Sequence, residues 1–134
     1  MDYTIKIDIK RSCQTVEIFG GVMTENNETL MIESSTLSEW MSADEVCLYD
    51  VREEHEFAKS RIPGSTLLPI SIFDAEQVTL VGKKKLVFHC RSGIRCGQAA
   101  ELMRFFGYHG PIYRLAGGII AWAENGGKIE PGDN

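Results

Sequence analysis

The spacing of apolar and polar positions divides the chain into two stretches of different character. Near the amino terminus Ile5, Ile7 and Ile9 alternate with Lys6, Asp8 and Lys10, the period of two expected of a half-exposed strand. Thr15-Val16-Glu17-Ile18-Phe19 repeats the alternation, Gly20-Gly21 is placed to end it, and Glu25 to Glu28 forms a polar turn before Leu30-Met31-Ile32. This pattern predicts a small β extension over residues 1–29. Beyond it, short apolar runs alternate with helical periodicity. Thr36 with Glu39 reads as a capping box opening a short helix that carries Leu37, Trp40 and Met41. Val46 to Tyr49 is a buried strand ending at Asp50, Glu53 to Ala58 a short helix, Arg61 to Ser65 a turn, and Thr66 to Leu68 another strand. Ser71 to Glu76 is expected to be helical. The strand Leu86-Val87-Phe88 leads to a helix whose apolar face is Ala99, Ala100, Leu102, Met103 and Phe106, closed by Gly107. Ile112 to Leu115 is the next strand, and Gly117-Gly118 opens a helix holding Ile119 and Trp122. Strands and helices in this alternation predict an α/β domain over residues 30–134, with a mainly parallel sheet covered on both faces.

Ligands of such sheets sit beyond the carboxyl ends of the strands. Two candidate strands end in chemistry there: one at Asp50, followed by Arg52, the other at Cys90. The segment His89-Cys90-Arg91-Ser92-Gly93-Ile94-Arg95-Cys96-Gly97 carries the strongest functional signal in the chain. An apolar strand stops at a cysteine, and a short loop with two arginines and a glycine opens onto a helix. Loop amides and the positive end of the helix then point toward the sulfur. A thiol so placed titrates below its free value of about 8.5, because its anion is stabilised. Cys90 is thus the candidate nucleophile. Arg91, Ser92, Gly93, Ile94, Arg95 and Cys96 form a candidate cradle for an anion.

Composition narrows the partners. The 134 residues carry a formal charge of -5, which argues against nucleic acid or an acidic membrane surface and makes the positive charge beside Cys90 a local feature. That contrast favours a small anionic substrate. The four cysteines are too few for a disulfide framework and lack zinc spacing, so neither a metal nor a cofactor is expected. The amino terminus has no basic stretch followed by an apolar core, and no apolar run approaches the roughly 20 residues of a membrane span. A reduced cytoplasmic protein is the expectation.

Four blocks carry a family resemblance: Asp50-Val51-Arg52-Glu53, Arg61-Ile62-Pro63-Gly64-Ser65, His89 to Arg95, and Leu115-Ala116-Gly117-Gly118-Ile119-Ile120-Ala121-Trp122. In order and spacing they resemble the rhodanese sulfurtransferases. The resemblance implies a three-layer rhodanese-like domain whose Cys90 cycles between thiolate and persulfide. A small anionic donor such as thiosulfate would load it, and a thiol, cyanide or protein acceptor would unload it. Asp50 and Arg52 would shape the site through an ion pair or hydrogen bonds rather than acid–base work. The sequence departs from the family at Ser60-Arg61-Ile62-Pro63-Gly64-Ser65, where Gly-His-Ile-Pro-Gly-Ala is usual, and at Cys96, where Ser or Thr is more common. Cys96 is read either as a small residue in place of serine, or as a thiol able to attack or bridge Cys90. Arg91 and Arg95 are candidates for the oxygens of thiosulfate, with pairing to Glu56 the plainer alternative for Arg95. His89 is expected to pack in its strand with its imidazole hydrogen-bonded locally, Cys47 to lie in the core, and Cys13 has no readable role.

Phosphatases and arsenate reductases of related architecture carry one more residue between cysteine and arginine than the four that separate Cys90 from Arg95. The tighter loop suits a lone sulfur atom. A non-catalytic interaction or sensing module is the remaining alternative, and the intact cysteine loop argues against it.

Overall fold

The computed structural model describes residues 28–82 and 84–132, together with three short amino-terminal strands. In chain order the elements are β1 (Thr4–Lys6), β2 (Glu17–Phe19), β3 (Val22–Thr24), β4 (Thr29–Ile32), α1 (Ser34–Ser42), β5 (Val46–Asp50), α2 (Glu54–Lys59), β6 (Ser60–Arg61) and β7 (Thr66–Leu67). They continue with β8 (Thr79–Val81), β9 (Lys85–His89), α3 (Ile94–Phe105), β10 (Ile112–Leu115), α4 (Gly118–Glu124) and β11 (Glu130–Pro131). The central sheet has five strands in the order β4-β10-β9-β5-β7, every pair of them parallel. β9 occupies its middle.

Alternation along β9 decides the geometry of the site. Leu86, Phe88 and Cys90 point to one face, where they join Tyr49, Val51, Ile112 and the α3 residues Cys96, Ala99, Ala100 and Met103. Val87 points to the other face, with Leu48, Leu115, Leu37 of α1 and Ile119 and Trp122 of α4. Helices therefore cover both faces of the sheet, as the alternation of strands and helices predicts. The side-chain period of two places Cys90 beneath the first turn of α3, on the same face as Phe88.

The structure differs from the sequence reading in several local features. Helix α1 begins at Ser34 behind Glu33, with no side-chain cap, so Thr36 is inside the helix rather than at its cap. The capping box belongs instead to α2, where Glu53 and Glu56 exchange side-chain and backbone bonds. The expected helix over Ser71–Glu76 is two 3₁₀ turns, Ile70–Ile72 and Ala75–Gln77, separated by extended backbone at Phe73 and Asp74. β8 and the β6–β11 pair lack a period that marks them. Phe106 caps α3 rather than extending its apolar face, and it is 43% exposed. Cys47 is half-buried at the edge of the core. Near the amino terminus β2 and β3 pair antiparallel, and β1 pairs antiparallel with β8; Cys13, Ile7, Ile9 and the Gly20-Gly21 expected to end the second strand lie outside the described residues.

Phe88 anchors the α3 side of the sheet. It is fully buried between Tyr49 and Phe73, with ring centroids at 6.1 and 5.9 Å. Phe88→Ala is expected to lower stability by about 3–5 kcal/mol in urea unfolding, the usual effect of emptying an aromatic core position.

Candidate active site

Cys90 follows directly on β9, and the chain turns through Arg91, Ser92 and Gly93 into α3. Gly93 makes this turn with φ 119° and ψ -7°, a left-handed conformation that favours glycine. In that conformation its N–H donates to Cys90 Sγ at 3.1 Å. The Cys90 thiol is drawn down to about 5, chiefly by the Cys96 thiol lying against it, with the amides of Cys96, Gly93 and Ser92 adding to the pull and burial opposing it. Among the six loop residues expected to form the cradle, Ser92, Gly93 and Cys96 therefore act on the sulfur. Ile94 turns an exposed side chain to solvent, and Arg91 is exposed as well.

Cys96 sits in the first turn of α3, fully buried, and its Sγ–H donates to Gly93 O at 3.0 Å. Its proton thus has two acceptors within reach, that carbonyl and the Cys90 sulfur. An ionised sulfur is the stronger acceptor, so the proton turns to it once Cys90 is a thiolate. The same neighbour drives the Cys96 pKa far upward, since a second anion beside Cys90 is unfavourable. Cys96 therefore behaves as a protonated donor, which fits its place as a stand-in for serine.

Carbonyls must be turned away from an anion, and α4 does this. The amides of Ile119 and Ile120 bind the carbonyls of Cys90 (2.8 Å) and Arg91 (3.3 Å). Gly118 permits the approach. A Cβ there would lie 2.4 Å from Arg91 O and 2.5 Å from Cys90 O, and its φ is +61°. The Gly117-Gly118 pair was visible in the sequence as a helix start; its grip on the cysteine loop was not.

The charged residues are arranged unequally. Arg95 forms a fork with Glu56, Nη1 to Oε1 at 2.6 Å and Nη2 to Oε2 at 3.0 Å. This pairing is the first cause of a Glu56 pKa lowered to about 2. Glu56 Oε1 also accepts from Glu53 N, so the fork ties the loop to the start of α2. Arg52 donates to Asp50 from its backbone N and from Nε and Nη2, at 2.7 to 3.1 Å, and from Nη2 to Ser60 O at 2.7 Å. Both residues are buried. The pair braces the end of β5 against β6 through Ser60.

His89 packs in its strand as expected and departs from expectation only in its hydrogen bonding. It is fully buried beside Asp50, Nε2 to Oδ2 at 3.5 Å, yet neither ring nitrogen has a hydrogen-bond partner among the described residues. Burial pushes its pKa down, so the ring is neutral. Strand alternation turns His89 away from the Cys90 face, and it joins neither the loop nor the thiol. A further residue absent from the sequence reading, Arg114 of β10, reaches Gly93 O with Nη2 at 2.7 Å. Its signal was parity alone, since Ile112 and Arg114 alternate with the core-facing Tyr113 and Leu115 of the opposite face.

A cysteine at the end of the central strand, ionised by a glycine-turned loop and backed by a helix, defines a class of α/β domains built around a buried thiolate. The chain belongs to the Rhodanese-like domain family, whose model matches residues 33–125. It is 35% identical to a sulfurtransferase of Allochromatium vinosum over 96 residues, 71% of this chain and 89% of that protein. Among solved structures, a human single-domain sulfurtransferase is similar with TM-score 0.59 and 29% identity, over 70% of this chain and 95% of that one. A Rhodopseudomonas palustris protein of unknown function, described as a possible tyrosine phosphatase, is similar with TM-score 0.59 and 27% identity, over 77% of this chain and 84% of that one. Among the described residues no helix is long and apolar enough to cross a membrane.

Because the Cys90 anion is favoured in the folded protein, it stabilises the fold fully above the unfolded thiol pKa of about 8.5, and that stability is lost as pH falls through the folded value of about 5. Thiolate ultraviolet absorbance, taken as the difference between the protein and its Cys90→Ser variant, is expected to titrate near that folded value. Cys96→Ala raises the midpoint, whereas Cys96→Ser, which keeps a donor at the same place, leaves it low.

Proposed function

We propose that the protein is a sulfurtransferase that moves a sulfane sulfur through a persulfide on Cys90. The observation that carries this reading is the Gly93 amide at 3.1 Å from a thiol held ionised near neutral pH. Kinship with the Allochromatium and human sulfurtransferases supports it.

With thiosulfate as donor, the Cys90 thiolate attacks the outer sulfur. The sulfur–sulfur bond of the donor breaks, and sulfite leaves with the bond's electron pair. The product is a Cys90 persulfide whose terminal sulfur carries the negative charge. No proton is transferred, which matches a site where Asp50 and His89 are held away from the thiol by Arg52 and by strand alternation. An acceptor such as cyanide or a thiol then attacks the terminal sulfur and returns Cys90 as thiolate. In that half-reaction Cys90 is the leaving group, so the amide of Gly93 and the Cys96 thiol stabilise the charge that develops on it. Arg91 is the guanidinium open to the donor's oxygens, because the Arg95 fork is occupied by Glu56. Burial of Cys90, 1% exposed, favours small donors and slim acceptors.

Incubation with thiosulfate is expected to add the mass of one sulfur atom to Cys90, and cyanide to remove it as thiocyanate; Cys90→Ser abolishes both. Absence of the adduct on the wild-type protein overturns the reading. Phosphate release from an aryl phosphate without sulfur uptake would move the assignment to ester hydrolysis.

A further inference from the structure

Of the arginines around the site, Arg114 is held in the least ordinary way. It rises from β10 on the face that carries Cys90 and passes under the first turn of α3. Its Nη2 donates to Gly93 O at 2.7 Å, while its Nε is buried with no hydrogen-bond partner among the described residues. No carboxylate among those residues pairs with it, in contrast to Arg52 with Asp50 and Arg95 with Glu56. Withdrawing a guanidinium from water and leaving one donor unmatched is unfavourable. The contacts with Gly93 O and with the Cys96 sulfur are what the position gains.

The chain also leaves room for this side chain. A Cβ on Gly97 would stand 2.9 Å from Arg114 Nη2 and 3.0 Å from its Cζ. Gly97 lies inside α3, where glycine is less favourable than alanine. A helix glycine and a partly buried arginine with no carboxylate partner among the described residues, both unfavourable alone, thus fit one another.

We propose that Arg114 is a positioning residue for the sulfur-transfer reaction, a clamp on the Gly93 carbonyl that keeps the Gly93 N–H aimed at Cys90 Sγ, and that Gly97 exists to admit it. This rests on the sulfurtransferase reading only for the identity of the reaction; the clamp is a property of the loop. Gly93 lacks a side chain and sits at φ 119°, so its own conformational preferences do little to hold it there. Two donors hold its carbonyl, Cys96 Sγ–H and Arg114 Nη2–H. When Cys90 ionises, the Cys96 proton turns to the thiolate. Arg114 then remains as the donor that keeps the carbonyl dipole from swinging toward the anion. Its role is greatest in the reactive state.

The test compares Arg114→Leu, Gly97→Ala and the double variant by the midpoint of thiolate absorbance, each against the same protein carrying Cys90→Ser. The other charged or titratable groups around the sulfur, Arg91 of the loop, the Arg95–Glu56 fork and neutral His89 on the far face, are unchanged throughout; Cys96 keeps its identity but loses the Arg114 contact that favours its anion, a change that would not by itself move the Cys90 midpoint upward. Arg114→Leu is expected to raise the midpoint from about 5 by about one pH unit, leaving roughly one-fifth of the thiolate present at pH 5. Gly97→Ala is expected to move it the same way although alanine favours the helix. The double variant moves it no further than Arg114→Leu alone, because both changes remove one contact. A midpoint unmoved in Arg114→Leu, or additive shifts in the double variant, overturns the clamp. Should Arg114→Leu not fold, the midpoint of Gly97→Ala decides. Sulfur uptake by the wild-type protein is measured alongside: its absence overturns the sulfurtransferase reading and leaves the midpoint comparison intact, whereas uptake with an unmoved midpoint overturns the clamp alone.

Discussion

One backbone hydrogen bond organises the molecule, that from Gly93 N–H to Cys90 Sγ. A thiol on the central strand of a closed α/β core would ordinarily be a small, inert hydrophobe. Its ionisation is favoured chiefly by the Cys96 thiol, and the amides of Cys96, Gly93 and Ser92 add to it because the chain reverses within three residues and brings them onto the sulfur. That reversal requires a left-handed residue at position 93, carbonyls of Cys90 and Arg91 turned outward onto α4, and a helix start at Ile94. Each of these is met by a different part of the fold, so the site is a product of the whole α/β arrangement rather than of its loop.

The charges near the site are best understood by what each is attached to. Asp50–Arg52 is a buried, multiply bonded pair that braces the end of β5. Arg95–Glu56 fastens the far side of the loop to α2. Both pairs neutralise themselves, so neither places much net charge on the sulfur; the loop dipoles and the Cys96 thiol dominate there. Preorganised dipoles of this kind stabilise charge without rearranging during reaction, which suits the proposed step, in which negative charge would pass from thiolate to persulfide and back.

Cys96 illustrates how position sets chemical character. The same thiol group is acidic at residue 90 and strongly resistant to ionisation at residue 96, although the two share a hydrogen bond. The difference lies in which of them receives the loop amides. Cys90 collects them and ionises first, and its charge then holds the Cys96 proton in place. A hydroxyl would serve at position 96 for the same reason.

Much of this was legible in the chain. Short apolar runs located β5, β9 and β10, the helical spacing of Ala99, Ala100 and Met103 located α3, and Cys90 stood out because a strand, a glycine-bearing loop and a helix met at it. Local patterns carry such information because they reflect contacts between residues close in sequence. Weaker local signals misled at α1, where Thr36 and Glu39 mimicked a capping box, and over residues 71–76, where the expected helix is reduced to 3₁₀ turns. What the sequence could not decide was pairing across the sheet: Arg95 with Glu56, the α4 amides with the Cys90 loop, Arg114 with Gly93 and Gly97. Those contacts join segments some 20 to 40 residues apart, and only the parallel order of the strands, which sets which side chains share a face, brings them together.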